Sequence, residues 1–304
     1  MGRKGTPVSL PESLLGVPPR YFRQGLALFV VIFVSLLTWL FFRAENVSPE
    51  AHFAYTQKLR DLGELDVRVD GQILANRLEQ VRNYDALTSY MQRIELLAKD
   101  VSNAPAYLAA ADRTAVAAAA EDLATAMTRK AAMVDQFKRD NAILRNSISY
   151  FPIATSIYLD TGHLPSSQDR QRDSVGKYAR EVLAYSHTPS KESGDRVRSV
   201  RNELLGLAEG AAQKKLIDNM LLHGDSIGER IRALDSLLIE ISKLRSNELL
   251  EKLAASYAAG HTGAHSVATR YRMALYGLAI LLSVFLAFLF FRLDLARRSL
   301  AKAN

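Results

Sequence analysis

Two long stretches without a single charge constrain this chain more than any other feature. Gly25–Phe42 reads GLALFVVIFVSLLTWLFF and Met273–Phe291 reads MALYGLAILLSVFLAFLFF. Each fits the window of about 17–25 apolar residues that a helix needs to cross a hydrocarbon core. A core helix of a soluble protein usually shows a polar stripe, and neither stretch has one. The first run is longer than the h-region of a cleaved leader, and no small-x-small site follows it, so it reads as an uncleaved anchor. The formal net charge is +7, and it sits at the ends: residues 1–24 and 292–304 each carry a balance of plus three, and Arg43 supplies the rest. The positive-inside rule then places both termini in the cytoplasm and the intervening region outside it. Trp39, Tyr21 and Tyr271 fall near the span ends, where amphipathic rings favour the interface. The basic balance is therefore a topology signal and does not point to nucleic acid. The expected organisation is a tail (1–24), a first span (25–42), an extracytoplasmic domain (43–272), a second span (273–291) and a cytoplasmic helix start (292–304).

The intervening region is rich in Ala, Leu, Glu, Lys, Arg and Gln, a helix-forming composition, and strand-type alternation is absent. Tyr84, Leu87, Met91, Ile94 and Ala98 recur at steps of three and four, as do Ile227, Ile231, Leu234, Leu238 and Ile241. Such stripes bury one helix face in a bundle. The Ala-rich run Ala104–Ala132 reads as a helix able to approach its neighbours closely. Pro105, Pro152, Pro165 and Pro189 mark breaks or kinks, and Thr161–Ser174 and His187–Gly194 read as loops. The expected fold is all-α: two transmembrane helices flank about seven or eight helices arranged as two stacked four-helix bundles. The last of these starts near Asn247 and feeds the second span directly. The chain has no cysteine, so stability must come from helix packing.

Three strings carry candidate chemistry. In FKRDNAILRNSISYFP, Phe137, Asn141, Leu144, Ile148 and Phe151 share one face, placing Asn141 in the buried stripe. Asn141 there is either a register device, as a lone core asparagine is in coiled coils, or a ligand contact, with Arg145 one turn on and Asn146 and Tyr150 on a neighbouring edge. In QILANRLEQVRNYDALTSY, Arg77 and Tyr84 share a helix face if the helix is continuous; Asn-Tyr-Asp reads equally as a solvated break. In LLHGDSIGERIRALDSLL, His223 joins the apolar stripe, where a lone histidine is more often a core residue than a metal ligand, and no metal-binding spacing accompanies it. No catalytic motif of the G-x-S-x-G, H-E-x-x-H or Walker type occurs, so no enzyme activity, cofactor or metal is expected.

Together with the chain end YRMALYGLAILLSVFLAFLFFRLDLARRSLAKAN, these strings resemble successive signatures of the double all-helical ligand-binding (DAHL) sensor domain of bacterial histidine kinases, including virulence sensors of the plant-wound type. The similarity covers most of residues 45–304, and the asparagine-rich string is its most specific part. Gly224 and Gly228 depart from the family pattern by loosening the helix around His223. The resemblance implies a periplasmic helical sensor in the bacterial inner membrane, passing its state to a cytoplasmic kinase, with Asn141, Arg145, Asn146 and Tyr150 as site candidates and Arg77 and Tyr84 as a second set. All six histidines lie between the spans, no nucleotide loop is present, and thirteen residues follow the second span. The chain thus reads as a sensor fragment or an input-only homologue. The expected ligand is a periplasmic small molecule or a ligand-loaded binding protein. A homodimer is expected through Gly277, Ala279 and Ala287. The alternatives are an envelope scaffold and a chemoreceptor input.

Overall fold

The computed structural model describes residues 19–45, 47–160, 169–207 and 211–303. They form eight helices and no strand: α1 (Pro19–Ala44), α2 (Pro49–Arg77), α3 (Asp85–Val101), α4 (Ala110–Asp160), α5 (Asp169–His187), α6 (Lys191–Gly206), α7 (Ala211–Ser242) and α8 (Ser246–Ala303). They divide into two compact units. One takes in α1, the start of α2, Pro105–Arg113 and α8 from Tyr257 onward; the other takes in Tyr55–Ala104 and Thr114–Ser256.

In the second unit the organising feature is a seam. Tyr55, Leu59, Leu62, Asp66, Val69, Ile73 and Asn76 of α2 are buried at alternating steps of four and three. So are Val116, Ala120, Leu123, Met127, Lys130, Val134, Phe137, Asn141 and Leu144 of α4. That spacing keeps one face of each helix against its neighbours over many turns. The Ala-rich run is helical only from Ala110, and its weak sequence periodicity conceals this regular seam. Polar seam residues face one another. Lys130 Nζ lies 2.7 Å from Asp66 Oδ1 and 2.6 Å from Asp70 Oδ1, and Ser246 Oγ donates to Asp66 Oδ2 at 2.6 Å. Gly63 admits Leu250: a β-carbon there would stand 3.1 Å from its side chain.

One helix group comprises α2, α3, the first half of α4 and the start of α8. It is tied by Tyr55 Oη donating to the Val101 carbonyl and by Lys252 pairing with Asp122. The other comprises the second half of α4 with α5, α6 and α7, where Phe151 meets Tyr178 edge-on and Ser174 donates to Glu203. At ~77 Å, α4 is long enough to serve both groups, which gives the expected pair of bundles a shared helix.

Several local expectations change. Pro152 does not break α4: it lies on an exposed face between buried Phe151 and Ala154, so the carbonyl it frees can turn to water. Residues 169–174 belong to α5, while 161–168 and Pro165 fall outside the described residues. The second expected loop shrinks to Thr188–Ser190, because Ser190 and Ser193 close a capping box and start α6 at Lys191. Arg77 and Tyr84 do not share a helix. Backbone N–H groups of Gln80 and Val81 turn back onto the Ala75 carbonyl, Glu79 takes φ 59°, and α2 ends.

In the first unit, Trp39 packs edge-on against Tyr271 at 5.6 Å and Arg272 Nε donates to the Ala44 carbonyl. Beyond this contact the apolar side chains stand open: Leu28, Phe42, Ile280 and Phe290 are all more than 60 % exposed. These two helices are long and apolar enough to cross a membrane. Nearby, His52 Nδ1 lies 2.8 Å from Tyr257 Oη, which lies 2.6 Å from Tyr107 Oη, itself 3.0 Å from His261 Nδ1. The His52 and His261 rings stack at 3.8 Å. This network ties α2, the α3–α4 connection and α8.

Candidate functional site

Asn141 is buried in the α4 seam, and its amide donates to the Asn76 carbonyl at 3.2 Å and to Tyr84 Oη at 3.0 Å. Asn76 in turn donates to the carbonyls of Val81 and Asn83. Arg145 Nη1 reaches the Arg82 carbonyl at 2.8 Å. The structure thus brings Asn141, Arg145 and Tyr84 together at the α2–α3 connection, where Asn141 donates to the Asn76 carbonyl and the Tyr84 hydroxyl and Arg145 to the Arg82 carbonyl. Arg77 points instead to Asp235 of α7 at 3.3 Å. Asn146 and Tyr150 lie exposed on another face of α4, and Tyr150 covers His223 at a ring distance of 4.6 Å. The His223 Nδ1 atom is buried without a partner.

Open space lies elsewhere: an apolar cavity of about 730 Å³ is lined by α3 and α4, and a more polar cleft lies between α5, α6 and α7. This cleft has a volume of about 350 Å³, within the size range of small-molecule sites. Val182 and Tyr185 of α5, both buried, and Val197 of α6 form its apolar wall. Arg198, Arg201 and Asn202 of α6 and Asp225, Glu229 and Arg232 of α7 supply its polar side. Arg201 forks onto Asp225, with Nε 2.8 Å from Oδ1 and Nη2 2.7 Å from Oδ2, and so holds α6 to α7. Arg198 pairs with Asp195 on its own helix.

Two glycines on α7, one turn apart, shape this cleft. A β-carbon at Gly224 would lie 2.1 Å from Tyr178 Oη, so only glycine lets α7 sit against that ring. The buried hydroxyl has no hydrogen-bond partner among the described residues. Burial, with a smaller contribution from the Asp225 charge, raises its pKa far above the ordinary phenol range, against the pull of Arg201. At Gly228 an added β-carbon would meet only Arg232 Nη1, at 3.7 Å, so the missing side chain leaves space. Among the described residues no group of three His, Asp or Glu could hold a metal ion.

Apart from Gly224 and Gly228, which the sequence analysis named for loosening the helix around His223, the α6 and α7 residues of the cleft were not singled out. The available signal was the Gly224/Gly228 pair inside an otherwise regular helix, where each glycine costs roughly 0.5–1 kcal/mol relative to alanine and so implies a close approach or an opening. A family model, the DAHL domain, matches residues 47–272. The chain belongs to the DAHL family. DAHL domains are non-catalytic sensor domains of histidine kinases. No curated protein and no solved structure gives a match.

Proposed function

We propose that this chain is the input module of a transmembrane receptor, which senses a periplasmic small molecule or ligand-loaded binding protein and passes a helix displacement to a cytoplasmic histidine kinase. The observation that carries the reading is α8: one uninterrupted helix, Ser246–Ala303, leaves the DAHL domain and continues through the apolar stretch Met273–Phe291. A packed helix entering a bilayer can carry a small translation or rotation across it. The basic flanks support cytoplasmic termini, an inner-membrane location and a periplasmic domain. We place the ligand in the cleft between α5, α6 and α7. Asn141, Arg145 and Tyr84 then set the α2–α3 connection that the signal passes. A second reading keeps the ligand near Tyr150 and Asn146, which are exposed beside His223; loss of response in Tyr150→Ala with the cleft variants silent would favour it.

Fusing residues 1–304 to a histidine-kinase core tests the function. Autophosphorylation that changes with periplasmic extract or partner supports the receptor; constant output with every extract that binds the domain leaves an envelope scaffold as the better reading. Fusion to a chemoreceptor output distinguishes that relative. Signalling through paired second spans calls for a homodimer, and Gly277, around which a β-carbon would find open space, permits close approach. Cysteine crosslinking along residues 273–291 without symmetric contacts would remove that element.

A further inference from the structure

The charges of the cleft are unequally committed, and this identifies the chemistry it is built to receive. Arg201 and Asp225 neutralise each other through a fork that uses both carboxylate oxygens. Arg198 is engaged by Asp195. Arg232 has no carboxylate partner among the described residues, yet it stands on the rim, one turn beyond Gly228. A guanidinium presents parallel donors that match a carboxylate. Behind it Val182, Tyr185 and Val197 offer an apolar wall, which suits a hydrocarbon body and gives nothing to a phosphate or a free sugar. Glu229 on the same rim disfavours a second negative charge.

We infer that the cleft between α5, α6 and α7 binds a small organic monocarboxylate, its carboxylate on Arg232 and its hydrocarbon body against Val182, Tyr185 and Val197 in the space left by Gly228. The inference rests on the receptor reading for its role in signalling, while the binding itself is independent of it. A ligand of this class bridges α7 to α5 and α6 beside the Arg201–Asp225 pair, so occupancy would tighten the packing of α7.

The test uses the full chain in lipid nanodiscs and a panel of aliphatic and aromatic monocarboxylates of four to ten carbons, each with its primary amide. Binding is read by calorimetry and by the shift in melting temperature. The expected result is saturable binding of at least one acid with the matching amide at least about ten-fold weaker, as loss of a charged hydrogen bond requires. Arg232→Gln should bring the acid down to the amide's affinity, and Gly228→Leu should abolish binding of both. Both positions tolerate the change: Arg232 is exposed, and the Gly228 β-carbon meets no backbone. Should Gly228→Leu unfold, Arg232→Gln decides alone. No binding by any acid, equal binding of acids and amides, or full affinity in Arg232→Gln would overturn the inference. In the kinase fusion, output driven by extract without carboxylate binding rejects this ligand class and keeps the receptor. Carboxylate binding with constant output keeps the site and rejects the receptor.

Discussion

Lys130 is 1 % exposed and Asp66 7 % exposed, a charge pair that the bundle holds out of water with Ser246 completing the carboxylate's shell, while the second carboxylate on Lys130, Asp70, is half in solvent and keeps its hydration when the lysine is lost. Removing one partner strands the other, which costs about 3–5 kcal/mol, whereas replacing both with apolar residues of similar volume is often neutral or stabilising. Lys130→Met should therefore lower the denaturation midpoint sharply, and Lys130→Met with Asp66→Leu should recover most of the loss. Equal loss in both forms would mean that side-chain shape, and not charge, fills the seam. At Gly224 the argument is steric. Gly224→Ala should cost about 1–3 kcal/mol through overpacking against Tyr178, and Tyr178→Phe should relieve only part of it, because the ring carbons Cζ and Cε1 would still stand 2.9 and 3.1 Å from the added β-carbon. Tyr178→Phe alone should melt no lower than the parent, because that hydroxyl has no partner to lose. Thermal melts of the three variants check this. Neither pair is legible in the sequence as a pair, because Asp66 and Lys130, or Tyr178 and Gly224, meet only once separate helices are packed.

Helices were legible wherever one face repeats at steps of three and four: Leu87, Ile94 and Ala98 of one stripe and Ile227, Ile231, Leu234 and Ile241 of the other are buried as their spacing predicts, while Met91 and Leu238 are half-buried and Tyr84 precedes α3. Ends were harder to read. α2 stops at Arg77 through backbone turns at Gln80 and Val81 that no proline or glycine announces, and Pro152 sits inside a helix that packing sustains. Asn141 donates to the Asn76 carbonyl and the Tyr84 hydroxyl at the α2–α3 connection, so Asn141→Leu should destabilise by about 1–3 kcal/mol, the loss of two hydrogen bonds, although the Asn76 carbonyl keeps the Glu79 N–H. Had Asn141 acted only as a register device in an apolar seam, the same change would raise the melting temperature. The His52–Tyr257–Tyr107–His261 network gives a pH dependence. Burial first, then the neighbouring His52 and His265, hold the His261 pKa below 6.5. The folded form therefore binds that proton less readily than the unfolded chain. Stability from this site is complete above about 6.5 and falls as pH drops through the lowered folded value. Melting of the full chain from pH 8 to 5 should show this loss, and His261→Phe should flatten it.

The two long apolar helices were legible because each is written as a contiguous run, while the cleft was not, since its walls come from α5, α6 and α7 and its volume from a side chain that is absent at Gly228. Both features bear on how a signal would leave the domain. If α8 works as a rigid helix, its rotational phase beyond the second span matters as much as its position. Each inserted residue turns everything that follows by about 100°, given 3.6 residues per turn, so one residue inserted between Arg292 and Leu293 of the kinase fusion swings the downstream seam far out of register. Seven inserted residues return it to within roughly 20° of the original phase. The single insertion should abolish or invert the ligand response and the seven-residue insertion should restore it, with the binding affinity of the DAHL domain the same in both. A response that declines steadily with insertion length, blind to phase, would point to a piston along the helix axis; a response indifferent to both would mean that α8 does not carry the signal.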